Sequence, residues 1–216
     1  MVASSVQHAL SILLAWDWPS IIGAIATVWL VYIAKCALNT WKKRSKAQKQ
    51  FDFMDQITDA VHELIGLLET PIEVVRFIKI GIDSHSEPSH TTEIESAIDY
   101  IKASGKRGAK QLLEHLQPCK QTLFKVRSLV AKGQVYGLNN YEECRQACNM
   151  ISWQHDRMQS FYTMIALESW NWENLEVKKY LAQVISLDAD EMKQQIDEAN
   201  VRFIAFVRDN YQAILT

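Results

Sequence analysis

The sequence predicts an all-α protein with one N-terminal transmembrane helix followed by a cytoplasmic helical bundle. Three observations lead to this prediction. A long apolar window lies near the N-terminus. The 216 residues include only seven glycines and four prolines, and no stretch alternates apolar and polar residues for long enough to indicate a half-buried strand. Several segments also begin with residue patterns that cap helices.

The transmembrane helix and its interface are predicted at residues 18–41. Residues 18–38 include one side chain that is charged at neutral pH, Lys35, and their length matches the about 20 apolar residues that cross a bilayer. A buried helix of a soluble protein is the alternative. Two features favour the membrane: Lys35 lies near one end, where its ammonium can reach the headgroups, and aromatic residues that prefer membrane interfaces cluster near both ends. These aromatic residues are Trp16, Trp18, Tyr32 and Trp41.

Positive charge is distributed asymmetrically around this window. The N-terminal side has no lysine or arginine, whereas the C-terminal side carries the residues that we call the basic flank: Lys35, Lys42, Lys43, Arg44, Lys46 and Lys49. Because Lys and Arg are retained on the cytoplasmic side, the sequence predicts a single-pass protein of the bacterial inner membrane, with its N-terminus outside and its C-terminus in the cytoplasm. A cleaved signal peptide would begin with basic residues, but no Lys or Arg precedes the apolar window in this chain. Residues 1–17 are expected to form a short external amphipathic segment.

The cytoplasmic domain is predicted at residues 42–216 and begins with a helix that continues from the span through Glu69. Apolar residues recur in it at three- and four-residue steps, which predicts one buried stripe. The stripe consists of Phe53, Met54, Ile57, Val61, Leu64, Ile65 and Leu68. A new helix is expected at Thr70-Pro71-Ile72-Glu73, since this sequence places a side-chain acceptor at the N-cap, Pro at the first position and Glu at the third.

Further amphipathic segments predict helices that pack as an antiparallel bundle. They are expected at residues 72–82, 94–101, 108–135 with a start or bend at Pro118, 141–167, Leu175–Ile185 and Ala189–Leu215. Capping pairs mark three of the helix starts: Thr92 with Glu95, Asn140 with Glu143, and Asp188 with Glu191. Residues 83–90 are the expected flexible connection.

Basic residues concentrate between positions 102 and 132. The segment has one acid, Glu114, against Lys102, Lys106, Arg107, Lys110, Lys120, Lys125, Arg127 and Lys132. Such a surface suits anionic lipid headgroups, RNA or an acidic patch on a neighbouring subunit; a solvated helix face is the alternative. The candidate polar contact is Lys106, Arg107 and Lys110. Nucleic acid is the less favoured ligand, because Phe124 is the only aromatic residue interleaved with the basic ones.

No cofactor or metal site is predicted. Cys144 and Cys148 lie four residues apart on a predicted helix, with His155 further along, but the second pair of ligands that zinc requires is missing. In a reducing cytoplasm these two cysteines, like Cys36 and Cys119, are expected to behave as small apolar residues. The sequence has no glycine-rich phosphate loop and no visible catalytic triad, so the chain is not expected to be an enzyme.

One pair of residues resembles the motif of a known family. HEPN-type ribonucleases carry an Arg, sometimes an Asn, followed by four to six intervening residues and then a His. This chain has Asn149-Met-Ile-Ser-Trp-Gln-His155, which lacks the Arg. Together with the span, the layout resembles small CRISPR-associated and phage-defence membrane proteins with a degenerate HEPN-like helical domain, some of which assemble into pores. The resemblance implies a membrane effector. Residues six apart do not share a helix face, so an ordinary polar helix surface is the alternative interpretation of Asn149 and His155.

Small residues in the span provide a means of self-association. Ser20 with Ala24, and Gly23 with Thr27, are four residues apart and allow helices to approach closely in lipid. A single span has no transport path, so a pore requires a ring of copies. The sequence therefore predicts an oligomeric, membrane-anchored helical effector or scaffold of bacterial defence type, with pore formation as one outcome. The alternatives are a monomeric tether that binds a cytoplasmic protein partner and a membrane-tethered HEPN-like ribonuclease.

Overall fold

The computed structural model describes residues 18–85 and 93–215. Of these residues, 88% are helical and none lies in a strand, which confirms the predicted all-α class. Packing divides the chain into two units, Met1–Gln48 and Lys49–Thr216. The predicted external segment at residues 1–17 lies outside the described residues.

The first helix, α1 (Trp18–Asp83), contains the predicted span. The side chains of residues 22–44 are all exposed. An 18-residue window of this helix near the N-terminus has a mean hydropathy of 1.6, and none of the window is buried. The helix is therefore long and apolar enough to cross a membrane.

In the second unit, α1 contributes the predicted apolar stripe to the core. Its buried members are Phe53, Met54, Ile57, Val61, Leu64 and Leu68, and Ile65 is half-buried. The Phe53 ring stacks on Tyr136 with 4.9 Å between their centroids, and His62 meets Phe203 edge to face at 6.4 Å. Each Å² of apolar surface that the stripe removes from water contributes about 25 cal/mol, so this face of α1 attaches the helix to the bundle.

The predicted helix start at Thr70 is wrong, because α1 continues through Pro71. Proline has no amide hydrogen, so the carbonyl of Leu67, four residues earlier, loses its usual helical donor. The thiol of Cys119 donates to this carbonyl oxygen across 3.4 Å, and the same sulfur lies 3.5 Å from the carbonyl oxygen of His115. A donor from a distant part of the sequence replaces the missing amide, and the helix continues.

The other described elements are α2 (Glu93–Tyr100), a π-helix (Ile101–Gly105), α3 (Lys106–Leu116), α4 (Cys119–Gly133), α5 (Tyr141–Ile165), α6 (Leu175–Ile185) and α7 (Ala189–Leu215). The predicted bounds of α6 and α7 are confirmed to the residue. The predicted start or bend at Pro118 is also confirmed, since α3 ends just before it and α4 begins just after it. The end predicted for α5 at residue 167 is two residues too late.

The predicted gap between a helix ending at residue 101 and another beginning at residue 108 is wrong. The backbone remains right-handed and helical through Tyr100, Gly105 and Lys106, so α2, the π-helix and α3 follow one another without a break. A π-helix bonds each amide to the carbonyl five residues earlier, which gives the turn more residues than an α-helical turn has. The three- and four-residue spacing of apolar residues that predicts an α-helix is interrupted at such a turn.

Two of the predicted caps can be compared with the structure. The Asp188 carboxylate accepts the backbone amides of Asp190 at 2.9 Å and Glu191 at 2.8 Å, which confirms it as the cap of α7. Asn140 precedes α5 as predicted, but its backbone is left-handed with φ of 50° and its side chain makes no capping hydrogen bond. The cap pairing of Asn140 with Glu143 is therefore wrong. Thr92 lies outside the described residues.

The fifth helix organises the second unit. It packs most extensively against α7 and also contacts α3, α4 and α6. Gln154 on α5 is fully buried, and its amide donates to Gln195 Oε1 on α7 at 2.7 Å. The apolar side chains around it form one cluster with the α1 stripe. A helical bundle thus follows the candidate span, as the sequence predicts.

Candidate membrane span and basic groove

The small residues of the span lie on an open surface. A Cβ atom added at Gly23 would meet no atom within 4 Å, and Ala24 and Thr27 are exposed. The Thr27 hydroxyl donates to the Gly23 carbonyl oxygen at 2.8 Å, so its hydrogen is satisfied within the helix and does not oppose burial in lipid. The side chain of Ser20 lies outside the described part of the structure.

The basic flank is also exposed in full, at Lys35, Lys42, Lys43, Arg44, Lys46 and Lys49. No ion pair to another described residue holds any of these side chains. Tyr32 and Trp41 of the predicted aromatic belt are exposed, and the Tyr32 ring meets Trp29 edge to face at 6.3 Å. Apolar, aromatic and basic side chains therefore follow one another along α1 in the order typical of a membrane span and its cytoplasmic boundary.

All eight basic residues of the segment 102–132 are exposed. Three of them pair with carboxylates: Arg127 with Asp156 at 2.6 Å, Lys125 with Glu63 at 3.9 Å, and Lys110 with Glu114 at 4.0 Å. The other five make no ion pair with a described residue: Lys102, Lys106, Arg107, Lys120 and Lys132. Acids elsewhere in the fold thus balance only part of this surface.

The three predicted polar-contact residues line one concave surface. This basic groove has a volume of about 410 Å³ and is lined by Ala103, Ser104, Lys106, Arg107, Lys110 and Glu168. The first two belong to the π-helix, the basic residues to the start of α3, and Glu168 to the turn after α5. Three cations and one carboxylate give the groove a net charge of +2, which attracts an anion.

Two closely packed glycines lie next to the cations of the basic groove in the sequence. A Cβ atom at Gly105 would lie 2.5 Å from the Ile165 carbonyl oxygen, and one at Gly108 would lie 2.6 Å from the Tyr100 hydroxyl oxygen. The π-helix therefore approaches the backbone at the end of α5 closely at Gly105. Burial raises the pKa of Tyr100, so its hydroxyl keeps its proton at neutral pH. Lys106 and Arg107 lie between these two glycines in the sequence.

The residues that resemble a HEPN motif lie in different environments. Asn149 is exposed and lines a pocket of about 560 Å³ with Arg127, Trp153 and Arg202. His155 is buried and does not line that pocket. Its Nδ1 lies 3.4 Å from an Asp156 carboxylate oxygen, and its Nε2 has no hydrogen-bond partner among the described residues. Burial lowers the pKa of His155, against the opposing influence of Asp156. The structure does not bring Asn149 and His155 to one surface.

The cysteines are all free, with Cys36 exposed and Cys119, Cys144 and Cys148 buried. Hydrogen bonding to Cys144 and burial raise the pKa of Cys148, so its thiol stays protonated. Within residues 18–85 and 93–215, no three His, Cys, Asp or Glu side chains are grouped to hold a metal ion.

Sequence reasoning identified the cations of the basic groove but missed two of its other residues. Ser104 belongs to a turn that the sequence placed between helices, and Glu168 is distant in the sequence. Neither has a local signal; the close approach of Gly105 to the end of α5 is what places Glu168 there.

No protein-family model, curated protein or solved structure matches this chain. The resemblance of the span and the Asn149–His155 pair to defence-associated membrane proteins stays a prediction.

Proposed function

We propose that this protein is a membrane-anchored helical effector or scaffold, not an enzyme, and that its copies associate through their spans. One observation carries the proposal: residues 22–44 form a helix whose apolar side chains are exposed, whereas Lys49–Thr216 forms a unit with its own apolar core. A bilayer can surround the apolar side chains of such a helix, because the helix satisfies its own backbone hydrogen bonds and is long enough to cross the hydrocarbon layer.

The basic flank sets the proposed orientation. Lys42, Lys43 and Arg44 follow the apolar segment directly and are exposed. Because Lys and Arg are retained on the cytoplasmic side, they support the proposal that this end lies at the cytoplasmic leaflet of a bacterial inner membrane. The N-terminus is then outside, and the helical unit is in the cytoplasm.

Self-association is proposed through the face with Gly23, Ala24 and Thr27. These side chains leave room for a second helix to approach within contact distance. A closed ring of copies would provide a path for ions between the spans. This is the arrangement that the resemblance to pore-forming defence proteins implies.

Reporter fusions near Met1 and at Thr216 test the orientation. We expect an alkaline phosphatase reporter to be active when fused near Met1 and inactive at Thr216, with a fluorescent protein showing the reverse. A periplasmic reporter at Thr216 would reject the proposed topology.

A span variant tests self-association. Gly23→Leu with Ala24→Leu keeps the segment apolar but fills the small face, so we expect membrane insertion to persist and the oligomer measured in mild detergent to dissociate. The matched control, Ala26→Leu with Ala37→Leu, adds similar bulk on another side of α1 and is expected to leave the oligomer intact. A wild-type monomer would instead favour the tether that binds a cytoplasmic protein partner.

The ribonuclease alternative makes a separate prediction. Because His155 is buried away from the surface where Asn149 lies, we expect His155→Ala to leave biological activity unchanged in protein that is normally folded and assembled. Loss of that activity together with loss of RNA cleavage would place the membrane-tethered ribonuclease first.

A further inference from the structure

We infer that the basic groove binds a phosphate group. The chemistry of recognition is the same whether the phosphate is part of an anionic lipid headgroup or of a small soluble molecule. The site belongs to the unit Lys49–Thr216, so the inference does not depend on the proposed role of the span.

The groove contains hydrogen-bond donors that strong ion pairs do not already occupy. Lys106 and Arg107 are exposed and make no ion pair with a described residue, and Lys110 reaches Glu114 only at 4.0 Å, the limit of such a contact. All three side chains line the same groove. An arginine fork and two ammonium groups are the donors that proteins use most for phosphate oxygens.

Closely packed glycines flank two of the cations in the sequence. Gly105 precedes Lys106 and lies against the Ile165 carbonyl oxygen, and Gly108 follows Arg107 and lies against the Tyr100 hydroxyl. π-helical turns are frequent at functional sites, and Ser104 of this turn adds a hydroxyl group to the lining.

The lining of the groove is polar. Among the described residues, Ala103 is the only lining residue without a polar side chain, and no aromatic side chain lines the groove. A nucleobase needs a stacking surface and a peptide anchor needs an apolar pocket. The net charge of +2 instead matches the one or two negative charges that a phosphate group carries near neutral pH.

The test titrates inorganic phosphate into the full chain in neutral detergent, by isothermal calorimetry at an ionic strength of about 0.15 M, where the Debye length is about 8 Å. We expect the combined variant Lys106→Gln, Arg107→Gln and Lys110→Gln to weaken binding by about tenfold or more, since it removes charge-assisted hydrogen bonds. The matched control has the same loss of charge at exposed positions outside the groove: Lys120→Gln, Lys132→Gln and Lys179→Gln. It is expected to change binding by less than about twofold, because exposed charges at a distance are screened.

Two single changes give results of opposite sign. Glu168→Gln removes the carboxylate from the lining and is expected to tighten phosphate binding several-fold, whereas Arg107→Lys keeps the charge, loses the planar fork and is expected to weaken it. These variants keep the test decisive if the triple variant does not fold.

A comparison of nanodiscs identifies the source of the phosphate. If a lipid headgroup occupies the groove, discs of phosphatidylglycerol will raise the apparent Kd for inorganic phosphate relative to discs of phosphatidylcholine, and the triple variant will remove the difference. If the ligand is a soluble phosphate compound, the Kd will be the same in both discs. Either result supports the inference.

Three results would overturn it. The first is that phosphate does not bind. The second is that the triple variant and its matched control lose binding equally, which would mean that the overall positive charge attracts phosphate and that the groove is not a specific site. The third result is that single-stranded RNA binds more tightly than phosphate and that its binding depends on Lys120 and Lys132 as much as on the three cations of the groove. That result would assign the whole basic segment to nucleic acid instead.

Discussion

At the scale of single residues, the contact between Cys119 and the Leu67 carbonyl explains why a proline is tolerated inside α1. The buried Pro71 leaves that carbonyl without a helical donor, and the thiol supplies one at 3.4 Å. A part-buried carbonyl without a partner costs about 1–3 kcal/mol. The proline and the cysteine are therefore energetically coupled, although they are far apart in the sequence.

A double-mutant cycle measures this coupling. Cys119→Ala is expected to destabilise the protein by about 1 kcal/mol more when Pro71 is present than in a Pro71→Ala background, where the amide of residue 71 can donate to Leu67. The measurement is the free energy of unfolding in urea of a fragment comprising residues 49–216. Cys119→Ser serves as the control, because a hydroxyl also donates. Equal costs of Cys119→Ala in both backgrounds would show that the thiol contact contributes nothing.

His155 is expected to make stability depend on pH. Burial lowers the pKa of the folded-state imidazole below the value of about 6.5 that a histidine has in an unfolded chain. Below pH 6.5 the unfolded chain therefore binds a proton that the folded chain excludes, and stability falls as the pH falls through 6.5 until the folded-state pKa is reached.

His155→Leu should make stability less sensitive to pH between 7.5 and 5.5, measured by urea unfolding of the same fragment. The control His62→Gln removes an exposed imidazole. If the free energy of unfolding of His155→Leu differs between pH 7.5 and 5.5 by as much as that of the unaltered fragment, this histidine does not determine the acid sensitivity.

At the scale of elements, the π-helix between α2 and α3 contains one residue more than an α-helical turn would. Ile98 before it, Ile101 at its first position, and Leu112 and Leu116 after it are all buried, so the apolar faces on both sides of the π-helix point toward the core. Deleting one residue from a π-turn leaves a regular α-helical turn, whereas deleting one from an α-helix rotates everything that follows by about 100°.

Two single-residue deletions test this difference. We expect deletion of the exposed Ala103 to leave the 49–216 fragment folded, and deletion of the exposed Gln111 to remove several kcal/mol of stability, since it turns Leu112 and Leu116 out of the core at about 2–5 kcal/mol each. Thermal unfolding followed by circular dichroism measures both. Equal damage from the two deletions would contradict the account.

Helix ends were predictable where neighbouring residues determine them. The Asp188 carboxylate accepts amides of the α7 first turn, and Asn174 caps α6 by accepting the Glu176 amide at 2.9 Å. Local signals failed where a distant partner decides the outcome. The cap pattern at Thr70 indicates a helix start as clearly as the pattern at Asp188 does. The contact of Cys119 with the Leu67 carbonyl, which compensates for Pro71 inside α1, has no local signal in the sequence. The same limit applies to the basic groove, whose cations are neighbours in sequence but whose Glu168 is brought there by tertiary packing.

At the scale of the whole molecule, the two units predict that the second folds without the first. Residues 49–216 contain the complete described apolar core and include Gln50, whose amide donates to the Tyr136 carbonyl at 2.8 Å. We expect this fragment to be soluble, mostly helical by circular dichroism and cooperative in thermal unfolding. A mostly unstructured fragment would mean that the lipid-embedded part is required for folding.

The arrangement of the thiols makes the native protein suitable for spectroscopy. Cys36 is exposed on α1, whereas Cys119, Cys144 and Cys148 are buried, and burial raises the pKa of Cys119 and contributes to the raised pKa of Cys148, which slows their reaction with alkylating reagents. A thiol-specific nitroxide should therefore label Cys36 selectively without any engineered substitution. Its power-saturation behaviour would report immersion in lipid, and dipolar distances between labels would give the spacing of neighbouring copies.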